Sequence, residues 1–167
     1  SYGIRMYAKS FEMRDVVVFD CNDGGIVCEA GTSTTSTTEF DAARGIFEGV
    51  VCINNDGHGI TYRGPREGLL SRIVCEANGS DGINVDEAAT YDGSCTMQDI
   101  QVKGNGQHGL QIGADARVSV TNLHSYENVQ CGLRIQGSDC LVSNFRIRDN
   151  NTTSGEAVDL TTTGARN

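Results

Sequence analysis

The sequence predicts an all-β solenoid, a column of about six stacked coils with three short strands in each, and three observations predict it. A glycine followed by an apolar residue, a spacer and a second apolar residue recurs along the chain. Apolar residues hold fixed places before that glycine. Asparagine holds another, four positions before it.

The glycine motif reads Gly3-Ile4-Arg5-Met6, Gly25-Ile26-Val27-Cys28, Gly59-Ile60-Thr61-Tyr62, Gly82-Ile83-Asn84-Val85, Gly109-Leu110-Gln111-Ile112 and Gly132-Leu133-Arg134-Ile135. These glycines are 22, 34, 23, 27 and 23 residues apart, a period at which one supersecondary unit repeats and stacks. Ile26, Ile60, Ile83, Leu110 and Leu133 are therefore expected to form one inward stack.

Nine and seven positions before each glycine stand Val16/Val18, Val50/Cys52, Ile73/Cys75, Ile100/Val102 and Leu123/Ser125, with Phe145/Ile147 continuing the series. Alternation with period two marks strands that turn one face inward. Twelve positions before the glycine comes a third inward row: Met13, Phe47, Leu70, Met97, Val120 and then Val142. Three inward segments so close together leave no room for a crossover helix. Three strands per coil, stacked coil on coil, make a parallel β-helix.

The asparagines are Asn55, Asn78, Asn105 and Asn128, with Asn150 at the matching place in the last coil. Asparagine tolerates the left-handed backbone that a tight corner needs. Copies stacked about 4.8 Å apart can also bond amide to amide up the column.

Composition agrees. The chain has 21 glycines, one proline (Pro65) and no tryptophan, and short Val, Ile, Phe and Thr runs are separated by Asn, Asp and Gly. Its longest apolar run, Val16 to Phe19, is far too short to cross a bilayer as a helix. A net charge of -9 argues against nucleic acid, whose phosphates need a basic surface. Only two of the thirteen basic residues are lysine (Lys9 and Lys103). That bias suits a halophilic protein, whose self-repulsion is screened by salt, and equally a genome that favours arginine codons. The seven cysteines form no CxxC pair and match no zinc spacing. Cys28, Cys52 and Cys75 fall in inward rows, where a thiol acts as a small hydrophobe, and they are expected to be unbridged. The repeat spans 1–167 as one domain. The chain opens without methionine and in mid-motif, so it reads as a processed product or a piece of a larger protein.

The Gly-Ile/Leu-x-apolar strands and the asparagine row together resemble the right-handed parallel β-helix superfamily of pectate lyases, mannuronan epimerases and viral tailspikes. The resemblance runs from Ser1 to about Leu160. It implies the fold and is nearly silent on activity, because the superfamily hosts many chemistries.

Loops gather on one edge of the column. The chain needs few residues there at 63–67, 113–117 and 136–139, and makes longer excursions at Glu29 to Arg44 (with the run Thr32–Thr38) and at Asp86 to Ser94. Beside that edge lies the outward face of the glycine strands, with one row of Val27, Thr61, Asn84, Gln111 and Arg134 and another of Glu29, Arg63, Asp86, Gly113 and Gln136. Amide, hydroxyl and guanidinium groups on a rigid sheet suit a chain of sugar hydroxyls, so Arg63, Asn84, Asp86, Gln111 and Arg134 are the candidate ligand contacts. An ordinary solvated face with an Arg63–Asp86 ion pair is the plainer reading. Aromatic stacking platforms are few there, with only Tyr62 and Tyr91 nearby.

A further row, His58, Asp81, His108 and Cys131, stands just before the glycines and could orient a general base or bind a metal; a set of ordinary turn residues is the alternative. Carboxylates for glycoside chemistry exist in the long loops (Glu39, Asp41, Asp86, Glu87, Asp92). They do not assemble into an assignable catalytic site, and no metal or cofactor is expected. Sequons stand at Asn150 and Asn151, and a third at Asn78 should be blocked by its place in the asparagine row.

Val17, Val51 and Val74, flanked by Phe19 and Ile53, form an apolar strip on an outer face. Water should not see it, so the 29–44 loop or another subunit should cover it, and resemblance to tailspikes implies a trimer. The leading expectation is thus a structural and receptor-binding module, extracellular or on a virion surface, with a glycan receptor and self-association or other virion subunits as partners. The alternatives are a polysaccharide lyase, hydrolase or epimerase, and a purely architectural solenoid.

Overall fold

The computed structural model describes residues 1–8, 10–29, 31–32, 39–40, 44–65, 67–86, 94–114, 116–137, 139–150 and 156–161. Strand β1 (Ile4–Met6) precedes the first complete coil, built from β2 (Ser10–Arg14), β3 (Val17–Phe19) and β4 (Ile26–Cys28). A short antiparallel hairpin, β5 (Gly31–Thr32) with β6 (Glu39–Phe40), stands before the second coil of β7 (Arg44–Glu48), β8 (Val51–Ile53) and β9 (Ile60–Arg63). The third coil is β10 (Gly68–Glu76) with β11 (Ile83–Asp86), and the fourth is β12 (Ser94–Lys103) with β13 (Leu110–Ile112). The fifth is β14 (Arg117–Tyr126) with β15 (Leu133–Ile135), and the sixth β16 (Leu141–Arg148) with β17 (Val158–Leu160).

From the third coil on, two of the three expected strands are one bent strand. The bend falls at Arg72, Asp99, Asn122 and Asn144, whose φ values are 55°, 55°, 58° and 49°. In the first two coils Asp15 and Gly49 take the same left-handed place and separate the strands. The three inward segments per coil remain; only the continuity of the hydrogen bonds differs.

Coil stacks on coil through parallel pairing. One sheet runs β1-β4-β9-β11-β13-β15-β17, and the other runs β2-β7-β10-β12-β14-β16 with β3 and β8 joining it beside β10. The predicted inward stack is present: Ile26, Ile60, Ile83 and Leu110 are fully buried and Leu133 is 3% exposed, each in register with the next. Burying each such side chain contributes about 1.5–3 kcal/mol. The other inward rows close the core, except at its last layer, where Phe145 keeps its register on Leu123 but is exposed. Tyr62 is wholly inside, edge-to-face with Phe11 and Phe47, and its hydroxyl accepts the Gly45 N–H at 2.9 Å. It belongs to the core and offers no platform for a sugar. Tyr91 lies outside the described residues.

The repeated glycine has a steric cause. A Cβ on Gly82 would lie 2.7 Å from the Gly109 carbonyl oxygen and 2.8 Å from Asn105 Nδ2, so only a bare Cα fits beneath the asparagine row. That row is a continuous ladder. Asn55, Asn78, Asn105 and Asn128 each donate Nδ2 to Oδ1 of the next asparagine, at 2.8, 3.0, 2.8 and 2.7 Å, ending on Asn150. The same amides donate to carbonyls of an earlier coil, as Asn78 does to Cys52 and Asn105 to Cys75. The left-handed corner expected of these asparagines belongs instead to the residue before each one: Asn54, Ala77, Gly104, Glu127 and Asp149. The ladder asparagines are there for their amides. Because Asn150 is engaged in the ladder, its sequon is obstructed as that of Asn78 is, and Asn151 lies outside the described residues.

All seven cysteines are free thiols. Cys52 and Cys75 are buried neighbours in register, and burial pushes the thiols of Cys28 and Cys95 up to about 12. On the outer strip Val17 and Phe19 are 60% and 63% exposed, while Val51, Ile53 and Val74 are half-buried. Among the described residues nothing in the chain covers the Val17 end. The expected cover, the 29–44 loop, lies largely outside them.

Candidate functional site

The glycine strands alternate, so Ile83 and Val85 point inward and Asn84 points out. Stacking in register turns the outward residues into one row: Arg5, Val27, Thr61, Asn84, Gln111, Arg134 and Asp159. Arg63 and Asp86 pair in register two residues along, at the loop-lined edge. The structure therefore places all five predicted contacts, Arg63, Asn84, Asp86, Gln111 and Arg134, on one face.

That face is not uniformly solvated. Thr61 is 4% and Asn84 8% exposed, whereas Gln111, Arg134 and Asp159 are half-buried. Arg63 is tied mainly to Glu29 (Nη1 to Oε1, 2.8 Å) and stands 3.8 Å from Asp86, so the expected Arg63–Asp86 pair is the weaker of its two. Glu29 also takes Nε and Nη2 of Arg5 at 3.2 and 2.7 Å. Burial pushes the Glu29 carboxyl up, but the bonds from Arg5 and Tyr7 and the charge of Arg63 outweigh it and hold the carboxyl below its ordinary range.

The turn row is a second ladder. His58 Nδ1 stands 3.2 Å from the Asp81 N–H, Asp81 Oδ1 accepts the His108 N–H at 2.9 Å, and His108 Nδ1 accepts the Cys131 N–H at 3.2 Å. Each side chain caps the backbone of the same position one coil on. His58 Nδ1 is equally 3.2 Å from Asp81 Oδ2, which it can donate to only when protonated there. Among the described residues no group of three His, Cys, Asp or Glu is placed to hold a metal. The ladder accounts for His58 and Asp81 structurally.

His108 does more. Its Nε2 lies 3.4 Å from Arg134 Nη1, and Arg134 Nε lies 3.3 Å from Asp159 Oδ2. Burial lowers the His108 pKa, Asp81 opposes that and Arg134 reinforces it, so the ring is neutral at pH 7. With Nδ1 accepting from Cys131, the neutral ring carries its proton on Nε2, on the side of Arg134.

Two buried side-chain atoms among the described residues have no hydrogen-bond partner: Asn84 Oδ1 and Arg134 Nε. The Arg134–Asp159 approach is an ion pair by distance, in a geometry that makes no hydrogen bond from Nε. Both orphaned atoms belong to the same outward row, two strands apart, with Gln111 between them.

A family model described as "Right handed beta helix region" matches residues 2–167. The chain belongs to the right-handed β-helix family. Among solved structures, this β-helix is similar to the A-module of the mannuronan C-5 epimerase AlgE4 of Azotobacter vinelandii, at 15% identity and a TM-score of 0.41. The alignment covers 94% of this chain and 57% of that one, so the β-helix spans little more than half of its length. No curated protein sequence matches.

Sequence reasoning missed one member of the site and the reach of another. Asp159 was hidden because Ala157 stands where the other coils have glycine, so β17 carries no motif; its carbonyl still accepts the Gly132 N–H at 2.8 Å. His108 stood out in the turn row as a possible base or metal ligand, but nothing in the spacing shows that its ring reaches the next outward row.

Proposed function

We propose that this β-helix is a glycan-recognising surface module and that the row Thr61, Asn84, Gln111 and Arg134, with Arg63 and Asp86 at its edge, is the contact face. The observation that carries the reading is the pairing of orphans on one row: an acceptor on Asn84 and a donor on Arg134. Leaving such a group unpaired costs about 1–3 kcal/mol. A sugar hydroxyl both donates and accepts, so hydroxyls along one chain suit a row that offers both roles once rotation of the Asn84 and Arg134 side chains brings these enclosed atoms to the surface. Thr61, Asn84 and Gln111 spend no side-chain hydrogen bond on the protein among the described residues, and they stand on rigid strands, so little ordering entropy opposes binding. An extracellular or virion-surface setting, of the tailspike kind, belongs to this proposal. So does self-association, as a trimer, over the exposed Val17–Phe19 end of the apolar strip, and so does halophilic adaptation of the acidic surface.

The test is a glycan array probed with wild type and with Asn84→Ala/Gln111→Ala/Arg134→Ala. Each lost bond removes only about 1 kcal/mol, so the triple variant should lose binding where single variants merely weaken it. Full binding by a folded triple variant would place the site on another face.

A second reading rests on His108. The buried ring presents its Nε2–H beside Arg134, two donors that suit a negative charge developing on a substrate oxygen, while its basic nitrogen, Nδ1, is taken by the Cys131 N–H. Incubation with polysaccharides, followed by assay for new reducing ends, unsaturated ends or changed sugar configuration, separates this reading from pure binding.

A further inference from the structure

On a different face of the column, the outward rows of the long strands change character along the molecule. In coils one to three the first row is Val17, Val51 and Val74, and the next is Phe19, Ile53 and Glu76. In coils four to six one row is Gln101, His124 and Arg146, and the next is Lys103, Tyr126 and Arg148, in register on β12, β14 and β16. Five of these side chains, all but Lys103, line a concavity of about 150 Å³. All five can donate hydrogen bonds, and no carboxylate lines the hollow.

In a chain of net charge -9 that lining is selective. Ten lysines and arginines are among the described residues, and nine stand within 4.0 Å of a carboxylate; Arg146 is the exception. Of the acids nearby, Glu76 and Glu127 are at Lys103, Asp149 takes Arg148 Nη1 at 2.7 Å, and Asp99 takes Asn122 Nδ2, so none is paired with Arg146. The Arg148 guanidinium is stacked 4.8 Å from the Tyr126 ring centroid, and Lys103 sits on the same ring at 5.7 Å, so the aromatic floor and one cation are held in place before any ligand arrives. Gln101, His124 and Arg146 make no side-chain hydrogen bond among the described residues, which leaves their donors uncommitted.

We infer that this concavity is an oxyanion site, built to take a sulfate or phosphate group carried on a larger ligand. Five donors converging from three neighbouring strands match an anion with three or four oxygens better than a two-oxygen carboxylate. Arg146 supplies the uncompensated charge, its planar fork bonds two oxygens at once, and Gln101, His124 and Tyr126 supply neutral donors around it. The site lies on another face from the Thr61–Arg134 row and does not depend on the sugar-binding reading of that row.

Calorimetric titration of the whole chain with dextran sulfate, unsulfated dextran, inorganic sulfate and inorganic phosphate, at low and moderate salt, tests it. Dextran sulfate should bind, unsulfated dextran should not compete at this site, and Arg146→Ala should weaken binding by roughly 10-fold or more, as loss of a hydrogen bond to a charged group does. Arg146→Glu should abolish it, while Arg72→Glu, an equal change of net charge on a cation already paired with Glu48, should leave it nearly unchanged. Inorganic sulfate competing better than phosphate marks a sulfate ester as the natural source, and the reverse marks a phosphate ester. Undiminished binding by folded Arg146→Glu, or an equal loss in Arg72→Glu, overturns the assignment.

Discussion

Two polar rows climb this column at the same spacing, and they differ in one respect. The asparagine row is internal, and every amide in it bonds to the next coil. The row of Thr61, Asn84, Gln111 and Arg134 is external, and its buried orphans bond to nothing. Repetition of a polar residue in register is therefore not by itself a sign of function. What separates a structural row from a candidate contact row is whether the protein uses up its hydrogen bonds. The His58–Asp81–His108 row makes the same point, since capping the next coil's N–H explains most of it.

The comparison can be broken by substitution. The largest effect should come from neither row but from the core beneath both: Ile83→Ala should destabilise the fold by about 2–5 kcal/mol in denaturant unfolding, as a buried large-to-small change does. A loss within about 0.5 kcal/mol would mean that Ile83 does not face the interior. In the internal row, Asn105→Ala should cost about 2–3 kcal/mol, because Asn78 Nδ2 loses its acceptor and the Cys75 carbonyl loses a donor. In the external row, Asn84→Leu should change stability least, by no more than about 0.5 kcal/mol or with a small gain, because it removes an orphaned carbonyl and breaks no bond. If Asn84→Leu cost as much as Asn105→Ala, the two rows would be equivalent and the distinction between them void.

The sequence showed the column clearly because its signals are local and repeated. Glycine, inward apolar pairs and ladder asparagine recur together, and a one-residue slip would expose every inward side chain, so the register was legible. It was also enough to bring Arg63, Asn84, Asp86, Gln111 and Arg134 to one face. What stayed hidden depends on distances across coils. That Glu29 rather than Asp86 is the main partner of Arg63 follows from two long side chains meeting over a 34-residue separation. Tyr62 was counted among the few aromatics near the face, yet its place in the motif turns it inward onto Phe47. The left-handed corners went to Ala77 and Glu127, residues with no preference for that backbone, because the ladder beside them demands it.

The stacking itself has a kinetic consequence. Among the described residues each coil pairs only with the coil before it and the coil after it, so the molecule behaves as a short one-dimensional array. Order can nucleate at any adjacent pair and zip outward in both directions, and disorder can enter only from the two ends or at a broken rung. Any layer left uncovered, as a water-facing Phe145 would be, is where fraying begins. The middle coils, β10 to β14, are protected by their position in the array as much as by their own side chains.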